Sequence, residues 1–219
     1  DKSTVNYSVY MYALAINDFV KNRICRSHET SGIHAVASAA SAPLLLSAAV
    51  LMPNLYSAIS FINPINMENA YCNPSTNPYI VKGLRAVYNT PVIGSFIYNT
   101  QYNRKAIHDA LSRIPGLEVE EKEKLTDSMY EAAHTGGYYG RFLYSSIHGN
   151  LLNVDIKRML DKLSTPLLIV SGSDNKPAKK SLSTFDRENE NISTIILEDI
   201  NTPQYECPKK LADILNKSF

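Results

Sequence analysis

The sequence predicts an α/β protein: a mostly parallel sheet with helices on both faces, interrupted by a helical insertion. Three observations carry that prediction. Gly32 is followed by a short strand-like run, Ile33–Val36, which passes into a cluster of tiny residues and then an apolar helical stretch at 44–51. A second strand pattern at 56–62 (YSAISFI) completes a strand–helix–strand unit, whose strands must be parallel and whose crossover must be right-handed. After residue 155 the alternation returns with Pro166–Gly172, a continuous apolar run bounded by proline and glycine, as in a strand buried on both faces.

The remaining elements follow from periodicity and punctuation. Residues 7–25 read as a helix with Val9, Tyr12, Ile16, Phe19, Val20 and Ile24 inward and Asn17, Asp18, Lys21 and Asn22 outward. Ser31-Gly32 breaks it, and a strand at 33–37 follows. The helix over 42–52 ends at Met52-Pro53-Asn54, and the strand at 56–62 ends at Asn63-Pro64. Between 65 and 155 no strand pattern occurs. The NPSTNP segment at 73–78 reads as a loop. Helical patches follow at 79–89, 104–114, 118–134 and 138–149, separated by Ile114-Pro115-Gly116 and Gly136-Gly137. The charge run Glu118–Lys124 reads as a solvated helix face. Beyond it come a helix at 155–163, strands at 166–171 and 192–197 with a helix at 177–188 between them, and a helix from Pro208 to about Asn216 that turns Leu211, Ile214 and Leu215 inward. The expected organisation is a core of 1–64 and 156–219 with a helical cap of 65–155.

Composition narrows the function classes. The 219 residues carry a net charge of +1, which leaves no electrostatic footprint for nucleic acid. No apolar run is long enough to span a membrane. Cys25, Cys72 and Cys207 are scattered and odd in number, which gives neither a metal spacing nor a disulfide framework and favours a reducing compartment. No secretory pattern opens the sequence, so a cytoplasmic protein is expected, and the missing initiator Met implies residues upstream.

In open parallel sheets, ligands sit beyond the carboxyl ends of the strands. Those ends carry 38–42, 63–64, 172–176 and 198–203. The first is a strand-to-helix corner of small residues, Ala39-Ala40-Ser41-Ala42-Pro43. Its residue sizes match the Gly-x-Ser-x-Gly elbow that holds a nucleophile in a strained, exposed position. Ser41 is then the candidate nucleophile, with Ala39 and Pro43 where glycines are usual. Counting from the start of the strand instead puts Ala39 at the corner, which implies no nucleophile, and Ser38 is a third option. The structural alternative is a small-residue helix start that lets a buried helix approach the sheet.

The order of these segments resembles the α/β-hydrolase superfamily, in particular bacterial members with a helical cap. The resemblance rests on INDFVKN, then IHAVASAASA, SFINP, a helical cap, PLLIVSGSDNKP, TIILED and finally NTPQYECPKKLADIL, which is similar to a closing loop of the form G-H-x-P-x-x-E-x-P. It covers nearly the whole chain and implies that the sequence starts after the family's fourth strand, so that the N-terminal half of the sheet is absent from it.

The resemblance implies a set of roles. Ser41 takes the place of the attacking serine, the backbone N–H of Ala42 half of the oxyanion hole, and Asp174 or Asn175 that of the acid, with Asp174 preferred for its charge. Ser173-Asp174 could equally be a helix N-cap. Asn201 falls where the family has its histidine, and an amide cannot accept and return a proton near neutral pH. His34 reads as a satisfied sheet residue, His28 as a loop residue and His108 as solvated. His134 and His148, near glycine breaks in the cap, are alternative bases. Tyr79, Tyr88, Phe96, Tyr98, Tyr138, Tyr139, Phe142 and Tyr144 give the cap either an aromatic pocket or its own packing. The implied function is a serine hydrolase-like protein with a degenerate triad, acting on an ester, amide or other small-molecule acyl substrate without cofactor or metal. The alternative is a non-catalytic member of the same fold that binds a small ligand or a protein.

Overall fold

A computed structural model describes residues 7–26, 32–67, 77–137, 140–185 and 190–218. His28, Cys72, Tyr138 and Tyr139 lie outside these residues, as does most of the 73–78 segment. Contacts divide the chain into two compact units, one of Asp1–Ser8 with Tyr71–Asn153 and one of Val9–Ala70 with Val154–Phe219.

The second unit holds the sheet. Strands β1 (Ile33–Ser38), β2 (Tyr56–Ile62), β3 (Leu167–Gly172) and β4 (Ile192–Leu197) pair in the order β1-β2-β3-β4, and every pairing is parallel. These are the four strands the sequence predicts. All six residues of β3 are buried, because it is covered on both faces and flanked on both sides. Alternation along the strands separates two cores. Ile62, Leu168, Val170 and Leu197 pack with Leu211 of the C-terminal helix α11 (Pro208–Lys217), with Ile214 and Leu215 against them. Phe61 meets Phe185 with ring centroids 6.3 Å apart. Val36 of β1 and Ile196 of β4, on the outer strands of the described sheet, are about half exposed.

Helix α1 (Val9–Phe19) continues as a π-helical segment, Val20–Cys25. Its buried face is Val9, Ala13, Asn17 and Val20, rotated from the expected one, and Phe19 is 58% exposed. The rotation has a polar cause. The Asn17 amide donates to the Ala48 carbonyl at 3.0 Å, and its Oδ1 accepts the Tyr56 hydroxyl at 2.6 Å. An asparagine with both ends satisfied can occupy a core position, and here it ties α1 to α2 (Ala42–Leu51) and β2. Helix α1 packs on α2, and α2 on α8 (Ile156–Lys162).

The regular elements of the first unit's described residues are all helices: α3 (Pro78–Asn89), α4 (Pro91–Tyr102), α5 (Arg104–Leu111), α6 (Val119–His134) and α7 (Gly140–His148). Helix α4 is absent from the sequence prediction, since Pro91, Gly94 and Thr100 weaken its helical signal. Gly94 is required there for contact rather than conformation: a Cβ would run into the Tyr88 carbonyl. The aromatic residues of this unit largely pack on one another. Tyr88 stacks on His148 at 4.7 Å with Tyr144 edge-on at 5.0 Å, and the Tyr98 hydroxyl donates to the Ala133 carbonyl at 2.9 Å. Tyr79 and Phe96, by contrast, are exposed. No helix among the described residues is long and apolar enough to cross a membrane.

Candidate functional site

The chemistry expected of this architecture lies where β1, β2, β3 and β4 end. Strand β1 runs into a single turn of 3₁₀ helix, Ala39–Ser41, and then α2. The left-handed residue at that corner is Ala39, with φ of 51°. Ser41, two residues on, has ordinary right-handed geometry, with φ of −81°. Its hydroxyl is exposed but turned back on the chain. It donates to the Ser38 carbonyl at 2.6 Å and accepts the Ser38 N–H at 3.2 Å. Ala42 is fully buried at the start of α2. Ser38 is extended, the last residue of the strand. The strained backbone position therefore carries a methyl group, and the Ser41 hydroxyl serves the local turn.

At the end of β2, Asn63 adopts φ of 45°, a conformation asparagine tolerates better than most residues. It is buried, and both ends of its amide are used. Oδ1 accepts the Gly172 N–H at 2.8 Å and the Ser171 hydroxyl at 3.3 Å, while Nδ2 donates to the Asn201 carbonyl at 2.8 Å. Gly172 sits so close to the next loop that a Cβ would strike the backbone of Ile200. Asn63 thus holds the 171–172 and 201 segments together through backbone groups, a task for which side-chain amides are well suited.

The loop after β3 presents Asp174 and Asn175. Asp174 is exposed. Its N–H donates to the Ile200 carbonyl at 3.0 Å, and its carboxylate accepts the Ser173 hydroxyl at 3.3 Å. The cap of the following helix, α9 (Lys176–Leu182), is Asn175 rather than Ser173-Asp174, with Oδ1 accepting the Ala178 N–H at 2.9 Å. Asn175 is also the residue that reaches Asn201. Its Nδ2 donates to the Asn201 carbonyl at 3.1 Å and to Asn201 Oδ1 at 3.3 Å. Asn201 in turn donates its N–H to Glu206 Oε1 at 3.0 Å, an acceptor shared with the Thr202 N–H at the start of α10 (Pro203–Glu206).

The structure joins Asn201 to the loop after β3 through Asn175. Asn201 has no hydrogen bond with Ser41 or Asp174 among the described residues. Asn63 and Asn175 are the residues the sequence reading passed over as partners of Asn201. The signal for Asn175 was present, since Asn-Lys-Pro is a helix start with its cap and an early proline.

Among the described residues, His34, His134 and His148 are engaged elsewhere. His34 Nε2 lies 2.8 Å from Ser60 Oγ, and burial holds its pKa below the ordinary value. His108 is exposed on α5. His134 Nδ1 meets the Tyr130 carbonyl at 2.8 Å and its Nε2 meets Asn99 Oδ1 at 3.2 Å. His148 packs against Tyr88 and Tyr144, and burial lowers its pKa. Among the described residues no cluster of three or more His, Cys, Asp and Glu could hold a metal ion.

No protein-family model matches the sequence, and no curated protein does. Solved structures match over nearly its whole length. MGS-M2, an alpha/beta hydrolase enzyme from a Medee basin deep-sea metagenome library, has 14% identity and a TM-score of 0.64 over 98% of this chain and 72% of its own. A probable hydrolytic enzyme from Pseudomonas aeruginosa PAO1 has 15% identity and a TM-score of 0.63, over 98% and 70%. A meta-cleavage product hydrolase from Pseudomonas fluorescens IP01 has 15% identity and a TM-score of 0.61, over 99% and 74%. At such identities the likeness speaks to fold.

Proposed function

We propose that this chain, whose fold is that of the α/β hydrolases, uses the fold's ligand site to bind a small molecule without cleaving it. The observation that carries the proposal is Ala39. In this fold the corner backbone is strained to present a nucleophile, and here the residue with the left-handed backbone has no hydroxyl, thiol or carboxylate. Asn201, at the position of the base, and Asn175, its hydrogen-bond partner, are both amides. Neither can take up a proton from an attacking hydroxyl near neutral pH. On this reading the nucleophile gives way to a methyl group and the base to an amide that only donates and accepts hydrogen bonds. Ser41 does not stand in for the nucleophile, because its hydroxyl is committed to Ser38 and, among the described residues, no base touches it.

The test is covalent labelling with a fluorophosphonate, alongside turnover of p-nitrophenyl butyrate. The native protein should remain unlabelled and its turnover at background, with Ser41→Ala changing neither. Labelling of the native protein at Ser41, or turnover that Ser41→Ala abolishes, would overturn the reading in favour of a working serine hydrolase with its base supplied from elsewhere.

A further inference from the structure

Helices α1, α2 and α8 leave a cavity of about 290 Å³ between them, and every residue that lines it belongs to the unit of the sheet. Topology sets it apart from the strand-end loops. Helix α2 starts at the carboxyl end of β1 and leads back to the start of β2, so its last turn, with Val50 and Leu51, approaches the amino ends of the strands. Lys162, at the end of α8, precedes the start of β3 in the same way. The walls are largely apolar: Tyr10 and Leu51 are exposed at the rim, and Met159 is buried. Ser47 adds a hydroxyl that is already used, donating to the Pro43 carbonyl at 2.8 Å and lying 3.2 Å from Met159 Sδ. The charges in the lining come from α8 and its cap. Arg158 and Lys162 are four residues apart, hence neighbours on one helix face. Neither side chain has a hydrogen bond or ion pair among the described residues. Against these two cations stands one carboxylate, Asp155, whose Oδ1 accepts the Arg158 N–H at 3.1 Å. Lys157 and Asp161 of the same helix do not line the cavity and cancel in charge. Helix α2 carries no charged residue. The single charge on α1, Asp18, is about two turns from Tyr10 and accepts the Asn22 amide at 2.7 Å.

We infer that this cavity binds a small organic phosphate, its phosphate group held by Arg158 and Lys162 and its hydrocarbon part laid on Tyr10, Leu51 and Met159. A phosphate monoester carries about −1.5 to −2 charges at neutral pH, which matches two unpaired cations. The guanidinium offers a fork of donors to two phosphate oxygens, and the lysine adds a compact charge beside the third. The apolar walls have no polar group to spare for a second hydrophilic end, so the remainder of the ligand is hydrocarbon. Its size is bounded as well, since the cavity stands at the lower end of the roughly 300–1,000 Å³ that ligand pockets occupy. The inference does not depend on whether the strand-end loops hydrolyse anything, because it concerns other residues.

The experiment is calorimetric titration of the full chain with hexyl phosphate, inorganic phosphate and hexanol at neutral pH. Hexyl phosphate should bind more tightly than either of its halves. Arg158→Gln combined with Lys162→Gln, at two exposed side chains, should weaken it by about tenfold or more. Leu51→Asn is the second variant and should bring hexyl phosphate toward the affinity of inorganic phosphate; circular dichroism checks that both variants fold. Backbone amide shifts on binding should gather at Tyr10, Leu51 and Arg158. Vesicles of phosphatidylcholine with added phosphatidic acid identify the source of the phosphate. Sedimentation with them, lost in the double variant, makes it a lipid headgroup, and no sedimentation makes it a free molecule. Native protein that ignores hexyl phosphate, binds hexanol as tightly, or keeps its affinity in the double variant overturns the inference, as do shifts confined to the strand-end loops.

Discussion

A left-handed backbone at an alanine is a local expense with no side-chain return. Ala39 carries it at the tip of β1, where its Cβ crowds the following carbonyl at a cost of about 1 kcal/mol. Ala40, next in the turn, has no positive φ. Glycine substitution should therefore act with opposite signs at these neighbours. Ala39→Gly relieves the strain and should raise stability by up to about 1 kcal/mol, less the entropy that glycine adds to the unfolded chain. Ala40→Gly has only that entropic effect and should lower stability by about 0.5–1 kcal/mol. Urea denaturation of the two variants reads the difference, and equal signs would mean that the corner is not where the dihedral places it. Residue size alone leaves Ala39, Ala40 and Ser41 interchangeable, which is why the sequence left Ser41 and Ala39 both open as the corner residue. A positive φ is a property of the packed turn rather than of composition.

At the scale of elements, the loops after β3 and β4 are set by backbone contact at a glycine. Gly172 ends β3 against the carbonyls of Ile200 and Asn201. Gly172→Ala puts a methyl group into fixed backbone on the far side, which should cost about 1–3 kcal/mol. It should also pry the 200–201 segment from Asn63 and Asp174, whose bonds to it run through main-chain atoms. Amide exchange at Asp174 checks this: it should accelerate in the variant well beyond the remainder of β3. An unchanged Asp174 amide would show that the loop absorbs the methyl. The same scale explains what the sequence revealed. Apolar runs such as YSAISFI and PLLIVSG declare strands because burial on both faces demands continuous hydrophobicity. The C-terminal helix was legible through Leu211, Ile214 and Leu215 for the same reason, and they pack on the sheet. Helix α1 was legible as a helix but not in its rotation. Hydropathy assigns asparagine to water, while Asn17 is buried with partners contributed by Ala48 and Tyr56, distant in sequence. Asn175 and Asn201 were legible as site positions, but their hydrogen bonds with each other and with Asn63 were not, for a related reason. An amide network declares itself only when the strand ends are brought together.

Across the whole molecule, buried titratable groups give each unit an acid and an alkaline limit. Burial, with a smaller contribution from Cys25, pushes the Tyr56 hydroxyl from 10.0 up to about 12. Burial likewise raises Tyr98, Tyr102 and Tyr144 in the helical unit. A tyrosine that holds its proton longer in the folded state stabilises the fold fully below the unfolded value. That contribution is lost as pH rises, because the unfolded chain releases its proton first. Stability should therefore fall from pH 10.0 to about 12, the interval set by Tyr56. On the acid side, burial lowers His34 in the sheet unit and His148 in the helical unit from 6.5. The unfolded histidines take up protons while the folded ones stay neutral, so the contribution is present above 6.5 and is lost as pH falls through the lowered values. Tyr56→Phe separates the alkaline effect from general alkaline swelling. It removes the hydroxyl that satisfies buried Asn17 Oδ1 and should cost about 1–3 kcal/mol at neutral pH. It should also flatten the loss of stability above pH 10.0, because the titrating proton is gone. Denaturation midpoints followed by backbone circular dichroism at neutral and alkaline pH measure both. A variant weaker at neutral pH but losing stability as steeply as the native protein above pH 10.0 would assign the alkaline limit to the tyrosines of the helical unit.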